Sequence, residues 1–163
     1  MILNSIFTAE NLEIFGQIGL ATILGALIGV ERELARKTAG MRTFALVAMG
    51  ACLFTVLSQV HLGAFDKTSY DPSRIASQIV VGIGFIGGGA IVFNKSQVRG
   101  LTTAAGLWVS AAIGMAVGYQ FYSIAIFSTL VTISILVFLW FLEHNIIKRL
   151  GKIAASDDDN EDR

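Results

Sequence analysis

The chain has 163 residues, of which 54% are apolar and 15% charged, and its mean hydropathy is +0.68. This composition is typical of a membrane protein and excludes an ordinary soluble domain of the same length. Acidic and basic residues number 12 each, so the net charge gives no reason to expect a nucleic-acid partner.

The segment before the first apolar stretch contains Glu10 and Glu13 but no basic region, so no cleaved signal peptide is expected. A helix needs about 20 mostly apolar residues to cross the roughly 30 Å hydrocarbon core. Five segments approach that length, which predicts an all-α protein with about five transmembrane helices. The predicted spans are residues 12–30, 41–60, 75–93, 101–118 and 121–142. Residues 1–150 form the predicted transmembrane domain, and the acidic residues 151–163 are predicted to be a disordered tail.

Two junctions between the spans carry local signals. Asp71 and Pro72 precede the third span, where proline suits a first helical turn and aspartate can accept hydrogen bonds from free amides. Only Tyr119 and Gln120 separate the last two spans. These two spans therefore form either a tight antiparallel hairpin or one long helix that breaks there.

Basic residues in the short loops predict the orientation, because Lys and Arg are retained on the cytoplasmic side. The first loop, the third loop and the tail are basic, whereas the second loop balances its charges and the fourth turn has none. We therefore expect the N-terminus outside and the C-terminus in the cytoplasm. The basic residues behind this prediction are Arg32, Arg36, Lys37, Arg42, Lys95, Arg99, Lys148, Arg149 and Lys152.

Small residues follow one face of the first and fourth predicted helices, a pattern that lets transmembrane helices pack closely. The fifth helix has no glycine, so we expect it to face lipid at the periphery while helices one to four form the centre. The small residues are Thr22, Gly25, Ala26 and Gly29 in the first helix and Thr102, Gly106, Ser110, Gly114 and Gly118 in the fourth. The predicted lipid-facing residues of the fifth helix are Phe127, Leu130, Ile133, Leu136, Val137 and Phe138.

The third predicted helix is unusually rich in glycine, with Gly84 and the run Gly87, Gly88 and Gly89 near its end. Glycine disfavours a helix by about 1 kcal/mol per residue, so a helix that only fills lipid would not be expected to contain so many. Two interpretations are open. The glycines either permit another helix to cross closely, or they allow an unwound filter segment whose carbonyls face an ion.

Ionisable residues inside membrane spans are the usual mark of ion paths, but here they fall at span ends. A path for a divalent cation would be expected to show carboxylates along its bore, so the sequence supports a transporter weakly. His61 and His144 lie on opposite sides in the predicted topology, and no nucleophile and base can be paired. We therefore expect no enzymatic activity, and Mg²⁺ is the one cofactor left open.

A charged cluster lies where the first helix ends and the second begins, formed by Glu31, Arg32, Glu33, Arg42 and Thr43. One interpretation is a salt-bridge network that fixes the loop and the topology. The other is a site that recognises a cation, a phosphate or a partner, with Glu31 and Glu33 as candidate metal ligands. Three more polar residues lie near predicted helix ends: Asn94, Thr102 and Thr103. Backbone groups at helix ends need hydrogen-bond partners, which explains these residues without a ligand.

Four motifs, in order along residues 16–125, resemble the MgtC/SapB family of membrane proteins. One glycine string alone would be unspecific, because membrane helices are often rich in glycine, but four in the same order are specific. The motifs are Gly25-Ala-Leu-Ile-Gly-Val-Glu-Arg-Glu33, Ala39-Gly-Met-Arg-Thr43, Gly82-Ile-Gly-Phe-Ile-Gly-Gly-Gly-Ala-Ile91 and Gly100-Leu-Thr-Thr-Ala-Ala-Gly-Leu-Trp-Val-Ser-Ala-Ala-Ile-Gly114. Longer relatives carry a soluble C-terminal domain, and the roughly twenty residues after the last span here are too few for one.

The resemblance implies a bacterial inner-membrane protein linked to growth under magnesium limitation and, in some pathogens, to survival inside host cells. Members of the family are regarded as regulators of other membrane proteins, including the proton-translocating ATP synthase, more than as magnesium carriers. We therefore expect a non-enzymatic regulator or accessory factor. The alternative is a transporter or channel for Mg²⁺ or another cation, which would be an oligomer. The small-residue faces would also suit a homodimer or higher oligomer.

Overall fold

The computed structural model describes residues 8–60, 73–94 and 97–161, which form five helices and a small β-hairpin. In chain order the elements are α1 (Ala9–Leu34), α2 (Met41–Val60), α3 (Ser73–Gly89), β1 (Val92–Asn94), β2 (Gln97–Arg99), α4 (Leu101–Gly118) and α5 (Tyr122–Glu161). The bounds of α2 and α4 agree with the predicted spans 41–60 and 101–118. The predicted helix start at Asp71 and Pro72 lies outside the described residues.

Four of the described helices are long and apolar enough to cross a membrane, which agrees with the predicted all-α membrane class. α3 has 17 residues, or about 26 Å of helix at 1.5 Å per residue. The number of spans and the orientation of the termini therefore remain predictions. The four candidate spans are Ala9–Leu34, Met41–Gln59, Leu101–Gly118 and Tyr122–Leu142.

α3 ends at Gly89, earlier than the predicted end at residue 93, and the chain then forms an antiparallel hairpin that was not predicted. The glycine run weakens the helix, and the β-branched and aromatic residues that follow favour a strand. Gly100 joins the hairpin to α4 with a φ of 93°, a conformation that L side chains rarely adopt. A Cβ at Gly100 would also overlap the carbonyl of Ala90.

α4 ends in a tight turn. Gln120 has a φ of 65°, and its N–H donates to the carbonyl of Val117 at 2.9 Å. The N–H of Phe121 donates to the carbonyl of Ala116 at 2.8 Å. This pair of hydrogen bonds is a Schellman cap, which satisfies the last carbonyls of a helix as the chain leaves it.

α5 packs back along the bundle, so α4 and α5 form an antiparallel hairpin and not one broken helix. Its inward positions recur every three to four residues, at Ala125, Thr129, Ile133 and Leu136. The prediction that Leu136 faces lipid was wrong, since it is 8% exposed, and Ile133 is half-buried. Because α5 is apolar on every side, the sequence alone could not identify this inward stripe. The other predicted lipid-facing residues, Phe127, Leu130, Val137 and Phe138, are exposed.

The apolar part of α5 ends at residue 142, as predicted, but the helix continues to Glu161. It thereby includes residues 151–161 of the tail that was expected to be disordered. Residues 143–161 contain no proline, and the single glycine, Gly151, does not end the helix.

Glycines bring α1, α2 and α4 into close backbone contact. A Cβ on Gly25 of α1 would lie 2.6 Å from the carbonyl oxygen of Phe44 in α2. Gly114 of α4 faces the carbonyl of Ala48 with no room for a Cβ. The predicted small-residue faces of the first and fourth helices are therefore contact faces, except that Thr102 is exposed.

α4 lies at the centre of the fold and packs against all four other helices. α3 is peripheral, because it packs on α4 and more thinly on α2, and only Ile83 and Gly87 of its residues are buried. The expectation that helices one to four form the centre was therefore wrong for the third. Gly29 of α1 contacts Met41 and Gly25 contacts Ala48, so α2 runs antiparallel to α1. Gly106 of α4 contacts Phe44 and Gly118 contacts Thr55, so α2 runs parallel to α4.

Candidate functional site

Arg32, in the last turn of α1, is a buried cation that is only 3% exposed. Its Nη2 donates to Oε1 of Glu31 at 2.6 Å, and its Nε donates to the other oxygen of the same carboxylate. A buried charge is costly unless it is paired and hydrogen-bonded. This bidentate pair compensates the buried charge, but it joins adjacent residues of α1 and is not the network across the loop that the salt-bridge interpretation describes.

Glu33 holds the start of α2. Its Oε2 accepts a hydrogen bond from the backbone N–H of Met41 at 3.1 Å. That amide is among the first of α2, which have no partner inside the helix. Gly40 lies against the same carboxylate, and a Cβ there would be 2.9 Å from Oε2. Both candidate metal ligands are thus occupied in the structure, Glu31 by a guanidinium and Glu33 by a backbone amide.

The turn after α1 is a second Schellman cap, which the sequence analysis missed. Arg36 has a φ of 53°, and its N–H donates to the carbonyl of Glu33 at 3.0 Å. The N–H of Lys37 donates to the carbonyl of Arg32 at 2.9 Å. Glycine is the usual sequence signal for this cap, and arginine stands in its place here.

Arg42 and Thr43 lie in the first turn of α2, apart from the Glu31–Arg32 pair. Arg42 is exposed and Thr43 half-buried, and both line a groove between α2 and α3. Among the described residues, no carboxylate lies within 4.0 Å of the Arg42 guanidinium. The predicted cluster is therefore one ion pair, one helix cap and a separate cation.

The glycine-rich segment mostly faces outward. Gly87 is buried, and a Cβ there would lie 3.6 Å from the carbonyl oxygen of Ala104 in α4. Gly84, Gly88 and Gly89 are exposed, and a Cβ on any of them would meet no atom within 4 Å. The segment is helical through Gly89, so it does not form an unwound filter in this structure. Close crossing within the chain is limited to Gly87.

The three polar residues near helix ends do not converge on one site. Asn94 is exposed in β1, where it pairs with Gln97 of β2. Thr102 is exposed in the first turn of α4, whereas Thr103 is 3% exposed. Their positions agree with separate structural roles, and no shared ligand position is formed.

A polar pocket lies at the opposite end of the bundle, which we call the Gln17 end, in contrast to the Arg32 end. The pocket has a volume of about 240 Å³. Gln17 is 5% exposed at its base and donates from Nε2 to the Tyr122 hydroxyl at 3.3 Å. The lining residues are Glu10, Glu13, Ile14, Gln17, Val56, Gln59, Gly118 and Gln120.

Hydrogen bonds hold the polar side chains at the rim of this pocket. Nε2 of Gln120 donates to Oε1 of Glu13 at 3.0 Å, and Nε2 of Gln59 donates to the carbonyl of Gly118 at 2.7 Å. No sequence motif groups these residues, because they come from α1, α2 and the end of α4 with the turn after it. The polar residues of the first span are the only local signal that could have found them.

Carboxylate and amide oxygens of this kind are the ligands that a hard cation such as Mg²⁺ prefers. Ala21 and Cys52, one helical turn from the lining residues Gln17 and Val56, are fully buried and do not line the pocket. Within the part of the chain that the structure describes, no three His, Cys, Asp or Glu side chains come together as a metal site. His61 and the side chain of His144 lie outside that part.

The sequence profile of the MgtC family matches residues 18–145, which is most of the chain. The chain belongs to the MgtC family. This finding confirms the resemblance that the four motifs indicated. No solved structure matches the chain.

Three curated relatives of the chain differ in their identity to it and in the share of each protein that the match covers. The chain is 43% identical over 120 residues to YhiD of Escherichia coli strain K12, which is named as a candidate magnesium transporter; the match covers 72% of this chain and 56% of YhiD. It is 48% identical over 112 residues to protein MgtC of Salmonella typhimurium strain LT2, covering 68% of this chain and 46% of MgtC. It is 35% identical over 144 residues to protein SapB of Bacillus subtilis strain 168, and this match covers 85% of this chain and 60% of SapB. The chain thus spans about half the length of the curated relatives it matches.

Proposed function

We propose that this MgtC-family membrane protein is a non-enzymatic regulator or accessory factor that acts by contacting other membrane proteins. It lies in the inner membrane of a bacterium and supports growth when magnesium is limiting. Its N-terminus is outside and its C-terminus in the cytoplasm, so the Arg32 end of the bundle faces the cytoplasm.

The observation that carries this proposal is the closely packed interior of the bundle. Backbone contacts of Gly25 with Phe44 and of Gly114 with Ala48 hold α1 close to α2 and α2 close to α4, so a conducting path would have to lie between copies of the chain and not along these contacts. Arg32 is buried but paired, so it offers no free charge. A conducting path needs oxygen ligands or water along its length. Tight apolar packing instead favours a protein that works through its surface.

α3 provides a suitable contact surface. Val81, Gly84, Phe85 and Gly88 lie at helical spacing on one face, which we call the α3 outer face. Phe85 is 87% exposed and Val81 68% exposed, and the two glycines are open. Small residues beside large apolar ones let a second transmembrane helix approach closely. A helix of another membrane protein would fit this face.

Leucine substitutions on the α3 outer face test the proposal. Gly88→Leu and Gly84→Leu place a bulky side chain where a partner helix would approach, at positions where a Cβ meets no other atom within 4 Å. We expect normal amounts of inserted protein but loss of growth at limiting Mg²⁺ in cells that depend on this protein. Gly19→Leu is the matched control, because Gly19 is equally open on α1. Wild-type growth of both α3 variants would refute contact through this face.

The same substitution is expected to act on assembly. In a native-size measurement of solubilised complexes, Gly88→Leu should disrupt assembly more than Glu31→Gln does. Glu31 pairs within its own chain, whereas Gly88 faces outward. Equal, wild-type-like assembly of both variants would count against the proposal.

The second candidate function is a pathway for Mg²⁺ or another cation, and the polar pocket at the Gln17 end favours it. Glu13 and the glutamine oxygens there would suit a partly hydrated divalent ion at an outer entrance. A transporter would also agree with the name given to YhiD. Against it stands the full burial of Ala21, one helical turn from Gln17 on α1. Ion flux with a Glu13→Gln variant distinguishes the two functions.

A further inference from the structure

A groove of about 830 Å³ separates α2 from α3. The groove exists because α3 packs mainly against α4 and makes few contacts with α2. Leu46, Phe54 and Phe85 on its rim are exposed, so the groove opens sideways toward the hydrocarbon of the bilayer. Its walls are apolar over most of their length, and its polar side chains are Arg42, Thr43 and Gln78.

The charge of the groove is confined to one end. Arg42 is exposed in the first turn of α2 and has no carboxylate within 4.0 Å among the described residues. Glu33 is nearby, but it binds the amide of Met41 and forms no ion pair with Arg42. The Thr43 hydroxyl adds a second polar group at the same end. An anion with an apolar extension would complement both the cation and the walls.

The length of the groove suits a lipid tail. From Arg42 to Phe54 the lining of α2 rises by about 18 Å at 1.5 Å per residue. One leaflet of the hydrocarbon core is roughly 15 Å deep, half of the 30 Å bilayer core. A headgroup at Arg42 would therefore place its acyl chain alongside Leu46, Gly50 and Phe54.

We propose that the α2–α3 groove binds one anionic phospholipid, with its phosphate on Arg42 and an acyl chain between α2 and α3. The bound chain fills the gap and supports α3 on the side where the protein gives it little contact. The lipid proposal applies to a regulator and to a cation pathway alike, and the groove shares Phe85 with the α3 outer face.

Native mass spectrometry of the full chain in detergent tests the headgroup contact. Dioleoylphosphatidylglycerol is the anionic probe, and dioleoylphosphatidylcholine is the zwitterionic comparison. We expect Arg42→Gln to weaken binding of phosphatidylglycerol by about tenfold, the scale of one charge-assisted hydrogen bond. Arg99→Gln is the matched control, because Arg99 is an exposed arginine outside the groove. Equal binding by Arg42→Gln and Arg99→Gln would overturn the proposal.

A second pair of variants tests the acyl chain. Gly50 lines the groove and Gly19 of α1 does not, and a Cβ on either meets no atom within 4 Å. Gly50→Leu should fill the groove and reduce lipid binding, whereas Gly19→Leu should leave it unchanged. Unchanged binding by Gly50→Leu would overturn the proposal. A wild-type dimer without bound lipid that is lost in Gly50→Leu would also overturn the proposal, because a second copy of the chain would then occupy the groove.

Discussion

Gly114 shows how strongly one hydrogen atom can matter where two transmembrane helices touch. In lipid, water provides no drive for helices to associate, so close packing of backbones carries much of the stability. Gly114 of α4 faces the carbonyl of Ala48 without space for a methyl group. A single side-chain carbon at this point would push α4 away from α2.

We therefore predict that Gly114→Ala lowers the free energy of unfolding by about 1–3 kcal/mol, the usual range for overpacking a core. Gly84→Ala is the control, because it adds the same methyl group to a helix where nothing is in contact. Its stability should stay the same or rise by up to about 1 kcal/mol through helix propensity. Unfolding in mixed detergent micelles measures both. Equal stability of the two variants would contradict the assigned α2–α4 contact.

The residue types indicated a charged cluster, but they could not show which partner each charged side chain binds. Glu31, Arg32 and Glu33 are adjacent in sequence, yet Glu31 pairs with Arg32 while Glu33 reaches the start of α2. The direction of each side chain depends on where the loop returns, and that loop depends on the left-handed conformation of Arg36. A non-glycine residue in this conformation carries no sequence signal.

Helices were predictable where apolar runs had clear ends. α2 and α4 begin and end within polar or glycine-containing junctions, and their bounds agree with the prediction. The predicted end of α3 lies four residues too late, because Val92 and Phe93 continue the apolar run although they form a strand. Hydropathy measures how apolar a segment is and does not separate a short apolar strand from the end of a helix.

At the scale of elements, Gly100 connects the hairpin to α4. Its positive φ and the contact with Ala90 leave no room for a side chain. We predict that Gly100→Ala loosens the hairpin and raises amide hydrogen exchange in β1 and β2, residues 92–94 and 97–99, with a loss of about 1–3 kcal/mol in stability. Gly89→Ala is the control, because a Cβ there meets no atom within 4 Å. Unchanged exchange in Gly100→Ala would argue against this junction.

For the molecule as a whole, the sequence led to the membrane class, the family and the closely packed glycine faces. The central position of α4 and the peripheral position of α3 could not be predicted, because both helices are apolar and rich in glycine. The polar pocket at the Gln17 end was also missed, since it assembles side chains from distant parts of the chain. These features depend on which faces meet, and local patterns do not record that.

We propose that the protein acts by contact with other membrane proteins and does not conduct cations. Flux of Mg²⁺ and protons into proteoliposomes, with purified folded protein compared with empty vesicles, tests it most directly. Two variant proteins, Glu13→Gln and the double variant Glu31→Gln with Glu33→Gln, examine the two ends of the bundle. We predict no flux above that of empty vesicles for any of them. Flux through the wild-type protein that falls in either variant would contradict the account and identify a cation pathway.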